Sequence, residues 1–349
     1  MAEKSNKINY ITDIKTVCIL LVFLWHCMLF YEDNPYFTES FGIISPVATF
    51  VGNMFNVTLI ASFVFCAGFV YARSLEKRQR TIPQSIWERI RRLIIPYYIL
   101  GIIWLVPLYT FFDIKAFGRP DGAGFAEGYK CMALGQFSDH LWFLWMLFWV
   151  ALFFILLSPL IKNHMTAVLF VITVAAAFCV DIYLYDFPYY KLSQIAPYLI
   201  CYFAGIFCYG IRDRLEALSK MTHLLLAGVF LAVVIVHAVM TPSHFAWMYI
   251  ARLSGALFSL FFFMSLEENT VWRKITDTGA YAFLVRNQLD IYFIHMPLPY
   301  LFARILRPYV GNIPILCILI NYALVLMTGM SIVQIYLRVK SDIIRIKDR

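Results

Sequence analysis

Runs of about twenty apolar residues recur along this chain, and that recurrence leaves few folds open. A helix rising 1.5 Å per residue needs about 20 apolar residues to cross a bilayer. Ten such segments can be marked, at roughly 14–31, 50–71, 94–112, 141–161, 165–184, 195–211, 224–240, 245–266, 289–306 and 313–337. The composition agrees with a membrane solvent. Only 14% of the 349 residues are charged, against about 25% in an ordinary soluble domain, and the mean hydropathy is +0.73. The expected fold is all-α, a polytopic helix bundle of about ten transmembrane helices forming one domain over residues 1–349. The first run lacks a small-residue cleavage site, so it is expected to be retained rather than removed as a signal.

Loop charge predicts sidedness. With the N-terminus inside and sides alternating, the inside segments take Lys4, Lys7, the dense group Arg73 to Arg92 and a basic C-terminus. The outside segments hold only Lys115, Arg119, Lys130, Lys191, Arg304 and Arg307. The positive-inside rule then places both termini in the cytoplasm and the protein in the cytoplasmic membrane. The net charge of +8 is thereby explained without nucleic acid. The eight cysteines are scattered through apolar runs with no CxxC and no Cys/His zinc spacing, so neither a metal nor a disulfide framework is expected.

Two loops stand out. Residues 72–93 read "ARSLEKRQRTIPQSIWERIRRL", and after Pro83 the residues Ile86, Trp87, Ile90 and Leu93 recur at helical spacing among Glu88, Arg89, Arg91 and Arg92. That pattern predicts a short amphipathic helix lying on the cytoplasmic face. The outer loop, 113–140, contains the turn-rich "GRPDGAG" and leads into "SDHLWFLWMLFWV", whose Trp142 and Trp145 suit a membrane interface.

The first span, "DIKTVCILLVFLWHCMLFY", carries Lys15 and His26. Eleven residues at 100° each is close to a whole number of turns, so both side chains share one helix face, about 16 Å apart along the axis. Lys15 can reach the headgroups along its own stem; His26 lies too deep to do so. An ionisable group at that depth points to function. A neutral imidazole suits general-base work on a hydroxyl. A bond from His26 to a neighbouring helix, with Lys15 as a topological anchor, accounts for helix 1 equally well.

Further pieces follow in order. "FVFCAGF" spans Phe63 to Phe69, Arg89 and Arg92 lie in "RIRRLIIPYY", "HLWFL" starts at His140, and Tyr292, His295 and Pro297 lie in "YFIHMPLPY". Together with the lysine and the histidine that follows it after ten intervening residues, these resemble acyltransferase family 3, the ten-helix membrane enzymes that O-acylate cell-envelope carbohydrates and related acceptors. The resemblance departs in two places. Ala67 stands where the family's second-helix pattern often has serine. Thr12, followed by Asp13, stands where an acidic residue is usual.

The resemblance implies transfer of an acyl group, acetyl first among the candidates, from cytoplasmic acyl-CoA to a hydroxyl of an envelope glycan or glycolipid. His26 would be the general base, with Lys15 and His295 beside it in the catalytic set. Lys15, Arg89, Arg91 and Arg92 would bind the phosphates of CoA, since arginine forks grip phosphate bidentately; lipid headgroups are the other claimant for that cluster. His140, Trp142, Tyr292 and Arg252 are candidates for contact with the acceptor. For His140 an interfacial packing role competes, for Arg252 outward snorkelling, and for His295 a bond to another helix. The alternative class is a proton-coupled transporter or flippase of an envelope precursor, with Lys15, His26 and His295 as relay. It predicts an internal repeat, and none is visible.

Overall fold

A computed structural model describes residues 9–33, 40–77, 80–115, 122, 124–136, 139–241 and 245–347. Among these residues all regular structure is helical. We number the main helices α1 Asn9–Met28, α2 Pro46–Lys77, α3 Ile82–Phe111, α4 Phe125–Ala133, α5 Trp142–Leu156, α6 Thr166–Tyr183, α7 Ala196–Gly210, α8 Lys220–Met240, α9 Phe245–Leu266, α10 Gly279–Ile294, α11 Leu298–Val310 and α12 Pro314–Lys347. A 3₁₀ turn, Leu29–Tyr31, extends α1. Among the described residues seven helices are long and apolar enough to cross a membrane, and α5 and α7 are shorter apolar helices. The chain is an integral membrane helix bundle.

The outer helices explain why the bundle belongs in lipid. On α6, Phe170, Val171 and Ile182 face outward, as do Leu225, Val229 and Val239 on α8. A helix that is apolar on its free face as well as its packed face needs an apolar solvent. The core gathers around α2, which packs on α1, α7, α8 and α9. Small residues permit the closest crossing. A Cβ on Gly68 would lie 2.1 Å from the Tyr202 carbonyl oxygen, and one on Gly205 would lie 2.0 Å from that of Phe65. These two glycines let the α2 and α7 backbones touch, as small residues do between membrane helices. Ser62 Oγ and Ser259 Oγ, 2.8 Å apart, add a polar tie between α2 and α9.

Two expectations are corrected. The basic amphipathic segment is not a separate surface helix. Thr81 and Gln84 form a reciprocal capping box, and the helix that starts there runs unbroken to Phe111. It continues through two π-turns, Ile90–Ile94 and Gly101–Leu105. Each π-turn stands just before a proline, Pro96 or Pro107. Proline lacks an N–H and crowds the carbonyl four residues back, so a widened turn keeps the helix going. The ninth expected span, 289–306, is in fact two helices, α10 and α11, interrupted at residues 295–297. Pro297 removes the donor that would reach the Phe293 carbonyl, which His140 Nε2 meets instead at 3.3 Å, and Trp104 Nε1 donates to the Met296 carbonyl within the break at 2.6 Å. In the outer loop, Phe125–Ala133 is helical, while most of "GRPDGAG" (118–121 and 123) lies outside the described residues.

Candidate active site

The break between α10 and α11 brings His295 to α1. His295 Nε2 lies 3.0 Å from His26 Nδ1, and His295 Nδ1 lies 2.6 Å from the Tyr292 carbonyl oxygen. A carbonyl only accepts, so His295 Nδ1 donates there. In a neutral imidazole the other nitrogen is then the acceptor, and His26 Nδ1–H donates to it. The remaining nitrogen, His26 Nε2, carries the lone pair. The backbone of α10 thus selects the tautomer of His26 through one intervening ring. His295 is fully buried, whereas His26 is only half-buried.

His140 completes the cluster. Its ring centroid is 4.7 Å from that of His295. Its Nε2 donates to the Phe293 carbonyl at 3.3 Å, and the Tyr292 hydroxyl donates to the His140 carbonyl at 2.6 Å. The buried His140 Nδ1 has no hydrogen-bond partner among the described residues. His140 is buried within the bundle. It ties the start of α5 to the end of α10.

A cavity of about 240 Å³ approaches this cluster from the Lys15 end of α1. Lys15, Arg89 and Arg92 line it, with Gln288 as a further polar wall; Ile19, Phe63, Cys66, Ala67 and Leu147 make it apolar; Tyr292 closes it. The Tyr292 ring stands 5.4 Å from that of His295. On the α1 stripe, buried Val22 and Phe23 separate Ile19 from His26, and the Phe23 ring packs 4.4 Å from that of His295. The cavity therefore ends one side chain short of His26. Cations at the mouth and an apolar shaft beyond suit a phosphate-bearing head with a thin chain.

The predicted residues divide. Lys15, Arg89, Arg92 and Tyr292 share the cavity, and His26, His140 and His295 share the cluster. Arg92 is partly engaged, 2.8 Å from Glu88, and Glu88 also pairs with Arg80. Arg89 leans over the Tyr71 ring at 5.9 Å. Arg91 is exposed and outside the cavity lining. Arg252 and Trp142 meet elsewhere, both against Tyr198, at 4.6 Å and 6.1 Å. Arg252 thus stacks on an aromatic ring instead of snorkelling outward. Asp13, beside the place where the resemblance lacks its acid, is buried and accepts from Trp272 Nε1 at 3.0 Å and the Tyr281 hydroxyl at 2.6 Å. It pins the entry of α1 to α10.

Sequence reasoning missed Gln288, because an amide in the polar stretch "RNQLD" just before an expected span carries no motif. It also missed Glu32, which reads as the first loop residue after a span. Glu32 is only 8% exposed. Its Oε2 accepts from Trp25 Nε1 at 3.4 Å, and its Oε1 has no partner among the described residues. Burial pushes its carboxyl up to about 8, against a smaller opposing pull from the Trp25 N–H.

The comparison with protein families now fits this arrangement. The acyltransferase family 3 model, described as an acyltransferase domain, matches residues 8–332, and the chain belongs to that family. It is a membrane acyltransferase. No curated protein and no solved structure matches it.

Proposed function

We propose that this protein moves an acyl group, acetyl foremost, from acyl-CoA to a hydroxyl of an envelope glycan or glycolipid. The observation that carries the reading is the cavity whose mouth holds Lys15, Arg89 and Arg92 and whose far wall, Tyr292, packs on the histidine cluster. We place the basic mouth on the cytoplasmic side, with both termini there, because that side is where Lys and Arg concentrate and where acyl-CoA is found.

In this account the basic side chains hold the donor's phosphates, and the apolar shaft excludes water from the thioester. His26 Nε2 takes the acceptor hydroxyl's proton as that oxygen adds to the thioester carbon. When the carbon–sulfur bond breaks, His26 returns the proton to the departing sulfur, so CoA leaves as the thiol and the base is restored. His295 stays neutral and holds the ring by accepting from His26 Nδ1. Movement of Phe23 or Tyr292 would open the last step of the path to His26.

The interrupted helix at 295–297 also favours a second reading, because transporters use broken helices to line substrate paths. A carrier would accumulate substrate in vesicles, and that accumulation would collapse with the proton gradient. The test is purified protein with labelled acetyl-CoA and an envelope extract. Acyl transfer predicts label on a hydroxyl-bearing product with matching CoA release and no gradient. Gradient-dependent uptake without label transfer would overturn it.

A further inference from the structure

Buried carboxyls are costly, and a fold tends to keep an unpaired one only where it serves a purpose. Glu32 is such a group. One oxygen touches the Trp25 indole N–H, while Oε1 is buried without a partner among the described residues. The space it fills exists because residue 52 is glycine. A Cβ there would fall 2.2 Å from Glu32 Oε1 and 2.4 Å from its carboxyl carbon. A leucine at position 32 would satisfy the burial better than the carboxyl does.

The position of this pair matters as much as its burial. Trp25 precedes His26, and their rings lie within 15° of parallel with centroids 6.1 Å apart. Glu32 lies six residues past His26, and Lys15 lies eleven residues before it. The donor cavity therefore approaches His26 from the Lys15 end of α1 and Glu32 from the other end, with Trp25 next to His26. The Trp25 side chain is half-buried, not sealed in the core. A carboxyl that can accept from hydroxyls, next to a large aromatic face, is the chemistry that grips a polyhydroxylated ring.

We infer that Glu32, past His26 from Lys15, and Trp25, next to His26, form the acceptor subsite, with Glu32 hydrogen-bonding hydroxyls of a sugar-like acceptor and Trp25 offering its ring face. This rests on the acyl-transfer reading above. Glu32 and Trp25 bind the acceptor and take no part in proton transfer, and Gly52 acts only by leaving room for the carboxyl.

The test measures transfer from labelled acetyl-CoA to delipidated envelope glycan at graded concentrations, for wild type, Glu32→Leu, Glu32→Gln, Trp25→Phe and Gly52→Ala. Glu32→Leu is expected to raise the half-saturating glycan concentration at least fivefold while the half-saturating acetyl-CoA concentration stays within twofold. Its thermal midpoint is expected to rise, the opposite of what loss of a structural contact produces. Glu32→Gln, which keeps hydrogen-bonding atoms, should fall between wild type and Leu. Gly52→Ala keeps both side chains but displaces the carboxyl, and should repeat the acceptor defect. Wild-type acceptor saturation in both Glu32→Leu and Gly52→Ala would overturn the subsite while leaving acyl transfer intact. Absence of any label transfer by wild type would overturn the acyl-transfer reading and the subsite with it.

Discussion

His295 Nε2 accepts a hydrogen bond from His26 Nδ1 across 3.0 Å, and the other nitrogen of His295 is fixed by a backbone carbonyl. This one relationship fixes the tautomer of a half-buried imidazole. It needs the helix interruption at 295–297, because an unbroken α10 would carry the backbone past α1 instead of ending beside it.

The role of His295 is separable from that of His26. His295→Ala should lower kcat roughly tenfold, the order of one lost orienting hydrogen bond, with the acetyl-CoA KM unchanged. His295→Gln, which can still accept from His26, should recover part of the loss. Steady-state kinetics of the two variants decide it; equal activity in wild type and His295→Ala removes the orienting role.

The basic residues should not behave alike. Lys15→Ala and Arg89→Ala should each raise the acetyl-CoA KM about tenfold, the size expected for losing one charge-assisted contact of ~1.5 kcal/mol. Arg91→Ala should match wild type, since Arg91 is exposed and outside the cavity lining. Glu88→Gln removes one ion pair that competes for Arg92 and should lower the KM slightly. Donor titrations at two salt concentrations check this set.

The α2–α7 crossing should tolerate no side chain. Gly68→Val pushes into the Tyr202 backbone and should destabilise the protein by about 1–3 kcal/mol or more. Gly210→Ala, where a Cβ meets nothing within 4 Å, should be neutral or slightly stabilising. Thermal unfolding in detergent compares them.

Glu32 should leave a mark on stability against pH. Its carboxyl is raised from 4.5 to about 8 by burial, so between those values the folded chain holds a proton that the unfolded chain has released. The neutral form is the one the fold accommodates. Its stability contribution is complete below about pH 4.5 and is lost as pH rises through about 8. The wild-type midpoint should therefore fall from pH 5 to pH 8 relative to that of Glu32→Leu. Parallel curves for the two proteins would contradict the raised carboxyl.

The bundle was legible because apolar runs of spanning length are a strong signal, and the first span, α2, α6 and α12 all form near their expected places. The break at 295–297 was harder to read. Proline tells where a helix loses a donor, but not that His140 on a distant helix will take up the freed Phe293 carbonyl. His26, Lys15 and His295 could be picked out as ionisable residues in apolar surroundings. The 3.0 Å meeting of His26 with His295, the separation of Arg252 and Trp142 onto Tyr198, and the burial of Glu32 against Gly52 all depend on contacts between segments remote in sequence. Spacing along one helix does not carry that information. The continuous α3 escaped for a related reason: the charged pattern of 82–93 looks like a surface helix until its register is followed through Pro96.

The most direct test of the whole account replaces His26 alone. Purified His26→Ala, shown to be folded by its thermal midpoint and to bind acetyl-CoA as wild type does, should transfer label to envelope glycan about 10²- to 10⁴-fold more slowly. Wild-type transfer by that variant would show that the imidazole on α1 is not the base.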